Sequence, residues 1–108
     1  MDMDHDTAAL LMDQLGNSTR LRIVRLLVRA GDQGRSVGDI QRALDVPAST
    51  LSHHLGHLRG AGLVRQEREG TVLRCFVDFV LISGLVDFLT AECCADVGEA
   101  AGSRRAVG

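Results

Sequence analysis

Val46-Pro-Ala-Ser-Thr-Leu-Ser-His-His-Leu-Gly-His-Leu-Arg-Gly-Ala-Gly-Leu-Val-Arg65, followed directly by Gln66-Glu-Arg-Glu-Gly-Thr-Val-Leu-Arg-Cys-Phe-Val77, decides the fold of this chain. At about 100° per residue, Leu51, Leu55 and Leu58 share one narrow stripe of a helix over 48–59. Ser49, Ser52, His53 and Gly56 fall on the opposite side, with His57 at their edge. Such a face is small and polar enough to enter a major groove and hydrogen-bond base edges or phosphates. Pro47 suits the first helical turn, where a missing N–H costs nothing, and Gly60 and Gly62 mark the far end. Leu63 to Arg68 and Val72 to Val77 then read as two strands of a hairpin around Glu69-Gly70, with Arg68 and Arg74 near its tip.

Upstream, Thr7 to Leu15 has helical apolar spacing at Ala8, Leu11, Met12 and Leu15. Asn17 or Ser18 can cap a second helix, in which Leu21, Ile23, Val24, Leu26, Leu27 and Val28 interleave with Arg20, Arg22, Arg25 and Arg29. Gly31-Asp32-Gln33-Gly34 ends it. Ser36 caps a third helix through Val37, Ile40, Ala43 and Leu44, with Asp39 in the place of a capping-box acid. Asp45-Val46-Pro47 is the turn into the fourth. The expected fold is mainly α with a small β-hairpin: a winged helix-turn-helix.

From Phe79 to Cys94 the chain is apolar nearly all round, which demands burial on more than one side. With 108 residues the core is small, so a second copy of the chain is the expected partner, meeting this segment and the first helix to form a homodimer. Leu85 and Leu11 are the positions expected at that interface. Residues 1–94 form the expected domain, and 95–108 a mobile tail. His5, between Asp4 and Asp6, is read as part of a disordered terminus.

The formal net charge of −2 is unevenly distributed. Between Asn17 and Phe76, ten arginines stand against five carboxylates (Asp32, Asp39, Asp45, Glu67 and Glu69), and the remaining acids cluster towards the ends. A basic middle suits phosphate contacts; solvated surface charge is the plainer alternative. No apolar run reaches the length of about 18 residues that a membrane span needs, and the first residues lack the basic flank of a signal peptide. A cytoplasmic protein with no membrane role and three reduced cysteines is expected.

In order and local motif the chain resembles the winged-helix repressors of the ArsR/SmtB type. The resemblance is carried by Leu15-Gly-Asn-Ser-Thr-Arg-Leu-Arg-Ile-Val-Arg-Leu-Leu27, Val37-Gly-Asp-Ile40, Ser49-Thr-Leu-Ser-His-His-Leu55, Leu58-Arg-Gly-Ala-Gly-Leu-Val64 and Arg68-Glu-Gly70. It implies a homodimeric, non-enzymatic repressor that binds an inverted repeat on double-stranded DNA and lets go when an ion or small inducer binds. It assigns Ser49, Thr50, Ser52, His53 and His57 to the DNA-reading helix, and Arg68 and Arg74 to the wing.

The usual metal sites of that family are missing. Arg35-Ser-Val-Gly-Asp39 has no thiol where many relatives carry a cysteine pair, and no histidine follows His57 for a carboxylate–imidazole site on the last helix. Cys75 on the second wing strand and the adjacent Cys93-Cys94 remain. Thiolates are soft donors, and Leu89-Thr-Ala-Glu-Cys-Cys94 looks like the vicinal-cysteine subgroup that responds to trivalent arsenicals. No cofactor is required on this reading; the inducer is trivalent arsenic, as methylarsenite or arsenite, or antimonite. Methylarsenite needs two thiolates and arsenite prefers a third, which makes Cys75 a candidate third ligand. It precedes Cys93 by 18 residues, about 20 Å if most are helical, and a lone strand cysteine equally fits a small buried hydrophobe. His54, beside the leucine stripe, is expected to pack on the helix flank. A thiol-based redox or persulfide sensor is the rival among regulators. A thiol enzyme would need an activating base, and no His or Lys lies near Cys93-Cys94.

Overall fold

In a computed structural model, which describes residues 3–97, the elements run α1 (His5–Leu15), α2 (Ser18–Ala30), a single 3-10 turn (Gly31–Gln33), β1 (Arg35–Ser36), α3 (Val37–Leu44), α4 (Ala48–Gly60), β2 (Val64–Glu69), β3 (Val72–Val77) and α5 (Phe79–Thr90). This is the winged helix-turn-helix expected. Side-chain caps start most of the helices. Asn17 accepts from the amide of Arg20 at 3.0 Å and Ser36 from that of Asp39 at 3.0 Å. Asp78 accepts from Leu81 at 3.0 Å. The Ser36 contact holds the Asp39 carboxyl below its ordinary range, with Arg42 adding to the effect.

Helix α1 begins two residues before the expected Thr7, because the Asp4 side chain accepts from the Thr7 amide at 2.7 Å and caps it. His5 is therefore in the helix rather than in a disordered terminus, and its ring meets that of Phe88 edge-on at 6.3 Å. Pro47 precedes its helix instead of lying in the first turn: it is the N-cap residue, with extended ψ 148°, and its carbonyl accepts from the Leu51 amide at 3.0 Å.

The hairpin is part of a three-stranded antiparallel sheet in the order β1-β3-β2, with Arg35 opposite Cys75 and Ser36 opposite Arg74. A two-residue strand carries no alternation for a sequence to display, so β1 was invisible in the pattern. Gly34 admits it: at φ +63°, a Cβ there would lie 2.3 Å from the Cys75 carbonyl oxygen and 2.8 Å from the Phe76 ring. Glu69 pairs with Val72, so the loop is Gly70-Thr71, one residue beyond the expected pair, and Gly70 supplies the positive φ of 65°.

The core gathers Leu11 from α1, Ile23, Val24 and Leu27 from α2, Ile40 from α3, the α4 leucines, Leu63, Cys75 and Val77, and Leu85 from α5. Leu11 and Leu85 are 1% and 4% exposed. They belong to this chain's own core, not to a surface awaiting a second copy. The apolar side chains left uncovered are others: Val80, Val86 and Leu89 on α5, at 70%, 54% and 57% exposure, and Leu10 and Met12 on α1. Within one chain α5 is thus buried on one side only.

Helix α5 stops at Thr90, short of the expected Cys94. The apolar run ends at Leu89, Thr90 turns its hydroxyl back to the Val86 carbonyl at 3.1 Å, and Ala91 is extended. Turns follow to Asp96. Of the tail expected over 95–108, residues 98–108 lie outside those described.

Candidate nucleic-acid interface and thiol pair

Helices α3 and α4 are joined by Asp45-Val46-Pro47, with Asp45 in the left-handed region at φ 54°. Leu51, Leu55 and Leu58 anchor α4 at 0%, 3% and 0% exposure. That anchoring turns Ser49, Ser52, His53 and His57 to solvent, with Thr50 half-buried at the flank. All five residues assigned to groove reading therefore share one helix, four of them fully available. Gly56 opens this face further, since a Cβ there would meet nothing within 4 Å.

His54 is held on the flank, as expected. Its Nδ1 accepts from the Arg20 guanidinium at 3.5 Å, and Arg20 Nε donates to the Gln14 carbonyl at 2.8 Å. Partial burial, then the Arg20 charge, push the His54 pKa down, so the ring favours its neutral form. Arg20 is a positioning residue that sequence reasoning missed. It lies 34 residues from its partner, and no local pattern announces such a contact. At the other end of α4, Arg59 Nη1 donates to Gln66 Oε1 at 2.6 Å and ties the helix to the wing.

The two wing arginines differ. In the β2–β3 register, Arg68 lies opposite Leu73 and Arg74 opposite Glu67. Side chains alternate along a strand, so Arg68 shares the face of Cys75 and Leu73, while Arg74 shares the other with Glu67 and Glu69. Arg68 is exposed and makes no ion pair among the described residues. Arg74 Nε pairs with Glu69 at 3.0 Å, and its Nη1 donates to the Gln33 carbonyl at 3.1 Å. Without DNA the two are not equivalent: Arg74 holds the hairpin to the turn before β1, whereas Arg68 is unengaged among the described residues.

Cys93 and Cys94 are both exposed, in the turns after α5, with their Sγ atoms 3.5 Å apart. Bonds of about 2.3 Å from a thiophilic centre to sulfur would reach both at once. Sharing a hydrogen bond with Cys93, with the charge of that neighbour adding to the effect, raises the Cys94 pKa. Cys75 is elsewhere. It is 0% exposed in the core, burial pushes its thiol pKa up, and Gln66 Nε2 donates to its Sγ at 3.4 Å. Among the described residues no three His, Cys, Asp or Glu side chains are grouped to hold an ion. The third-ligand candidacy of Cys75 thus fails within one chain, and its burial matches the small-hydrophobe alternative. No helix among the described residues is long and apolar enough to cross a membrane.

Comparison with known proteins agrees with this geometry. The family described as a helix-turn-helix domain matches residues 15–67. An uncharacterised HTH-type transcriptional regulator of Methanocaldococcus jannaschii is 39% identical over 67 residues, which is 62% of this chain and 73% of that protein. A putative arsenical resistance operon repressor of Halobacterium salinarum is 38% identical over 60 residues, 56% of this chain and 46% of that one. Among solved structures, HlyU from Vibrio cholerae superposes with a TM-score of 0.69 at 28% identity, covering 87% of this chain and 99% of that one. The chain belongs to the helix-turn-helix transcriptional regulators, and its fold is the winged helix-turn-helix of the ArsR type. It is a DNA-binding regulator and not an enzyme.

Proposed function

We propose that the chain is a homodimeric repressor that binds an inverted-repeat operator on double-stranded DNA. A trivalent arsenical (methylarsenite or arsenite) or antimonite bound by the thiolates of Cys93 and Cys94 releases it. The observation that carries the ligand half is the 3.5 Å separation of two exposed thiols in one turn. In that step each arsenic–sulfur bond replaces an arsenic hydroxyl, which leaves as water with the thiol proton, and no electron changes hands. Methylarsenite has two such positions and is satisfied by the pair; arsenite keeps its third hydroxyl, because Cys75 is buried in the core. The likeness to an arsenical resistance operon repressor agrees with this ligand class.

Homodimerisation is supported by the uncovered Val80, Val86 and Leu89 on α5 and by Leu10 and Met12 on α1. The thiol turn continues directly from α5, so a ligand that reshapes the turn acts on the end of the proposed interface helix. It shifts the dimer only as far as it binds the two states differently, and tenfold release needs about 1.4 kcal/mol of difference.

The test is a fluorescent operator duplex, selected by the protein itself from random sequence, bound and then titrated with arsenite, methylarsenite, antimonite, zinc and peroxide in turn. Release by the arsenicals and retention under peroxide supports the reading. Release by peroxide alone transfers the case to a thiol redox sensor. That alternative starts at a disadvantage, because adjacent Cα atoms are about 3.8 Å apart whereas ordinary disulfides span about 4.4–6.8 Å.

A further inference from the structure

Helix α2 has a charged face that neither the core nor the reading helix uses. At about 100° per residue, Arg22, Arg25 and Arg29 lie within about 60° of one another, on the side opposite the buried Ile23, Val24 and Leu27. All three arginines are exposed, and none makes an ion pair among the described residues. Beside them runs an open groove of about 510 Å³ between α2 and the end of α3, which Leu21, Leu26, Ala43 and Leu44 line as well. Leu21 is 43% exposed there. Helices α2 and α4 pack against each other through their buried side chains. The arginine face of α2 therefore points away from the outward face of α4.

We propose that this groove docks an acidic amphipathic helix of a second protein, and that it does so while the chain is on DNA. An apolar groove between two helices is a seat for a third helix laid along it. From Arg22 to Arg29 the spacing is about 10 Å, two helical turns. A partner helix with carboxylates at the same i, i+3 and i+7 positions sets one against each guanidinium, in pairs that can be bidentate. A leucine stripe beside those carboxylates covers Leu21, Leu26 and Leu44, and an apolar patch rimmed by charge is typical of such contact surfaces. A second copy of this chain fits poorly, because a two-fold interface sets the same patch against itself and would bring arginine to arginine. DNA phosphates would satisfy the arginines but leave the apolar lining in water, and a duplex read by α4 lies on the other side. The docking half stands apart from the arsenical reading; simultaneous binding rests on α4 being the DNA-reading helix.

The probe is a fluorescent synthetic helix with glutamates repeating at i, i+3 and i+7 beside a leucine stripe. It is titrated by anisotropy with the full chain held on saturating unlabelled duplex, so that the arginines facing DNA are already covered. One peptide per chain is expected. Binding should weaken about tenfold or more in Arg22→Ala/Arg25→Ala, the loss typical of arginines central to an interface. Leu21→Ser should weaken it too, as should glutamine in place of every glutamate of the peptide. Circular dichroism confirms that these surface variants are folded. No binding by the wild-type chain, or equal binding by the double variant, would overturn the docking site. Without peptide, Arg22→Ala/Arg25→Ala should bind the selected duplex with unchanged affinity and unchanged salt dependence. A lower salt slope would assign these arginines to phosphates and overturn the proposal, and displacement of the peptide by duplex would overturn simultaneous binding. Arsenical release is scored separately, on the wild-type chain without peptide, so the two readings fail independently.

Discussion

Arg68 and Arg74 leave the hairpin from opposite faces, one opposite Leu73 and the other opposite Glu67 in the β2–β3 register. Only Arg68 is free of an ion pair among the described residues. Removing Arg68 should weaken binding to every duplex and lower the slope of log affinity against log salt by about 0.9, the release expected for one phosphate contact. Arg74→Ala should leave that slope unchanged, since its guanidinium is spent on Glu69 and Gln33. Fluorescence anisotropy at several salt concentrations separates the two, and equal slope changes would remove the distinction. Ser52→Ala, on the outer face of α4, should narrow the gap between operator and random duplex.

The core and the uncovered surface of α5 predict different outcomes for charged substitutions. Leu85→Asp should unfold the chain, because a carboxylate at 4% exposure is unpaired and desolvated. Val86→Asp and Leu89→Asp alter exposed positions and should give a folded monomer. Sedimentation combined with circular dichroism reads both. A wild-type chain that is already monomeric at micromolar concentration would refute the assigned interface.

The thiols divide in the same way. Cys93→Ser and Cys94→Ser should each leave DNA binding intact and abolish release by methylarsenite. Cys75→Ala should leave release intact while costing about 1 kcal/mol of stability through the small void in the core, measured by denaturant unfolding. Normal arsenical release from the Cys93→Ser/Cys94→Ser double variant would end the proposal for the pair.

His54 links pH to stability. Its folded-state pKa is depressed by burial and by Arg20 below the ordinary value of 6.5, so the unfolded chain takes up the proton more readily. Its contribution is fully present above about pH 6.5. It is lost as pH falls from there through the lower folded-state value. Unfolding midpoints measured at pH 7.5 and pH 5.5 should drop in the wild type and drop less in His54→Gln. An identical drop in both would place the sensitivity elsewhere.

Local pattern was enough for the helix-turn-helix. Leucines at 51, 55 and 58, Asn17, Ser36, and the turn chemistry at Gly70 express preferences of the chain acting over a few residues, and those survive into the fold. The leucine stripe alone turned Ser49, Ser52, His53 and His57 outward. The adjacency of Cys93 and Cys94 is likewise a property of the covalent chain. Longer-range matters were decided only when the elements met. The pairing of Arg35-Ser36 with β3 joins residues some forty positions apart, and the Arg20–His54 contact spans 34. That Cys75 is core and Arg74 tied down depends on which face of β3 meets the helices, which the register with β2 sets. Apolar character along α5 could not say which residues its own chain would cover, because an all-round apolar helix has no direction until neighbours choose one. Leu85 therefore went inward and Val86 was left outside by α1 and the core, which no reading of the segment by itself could distinguish.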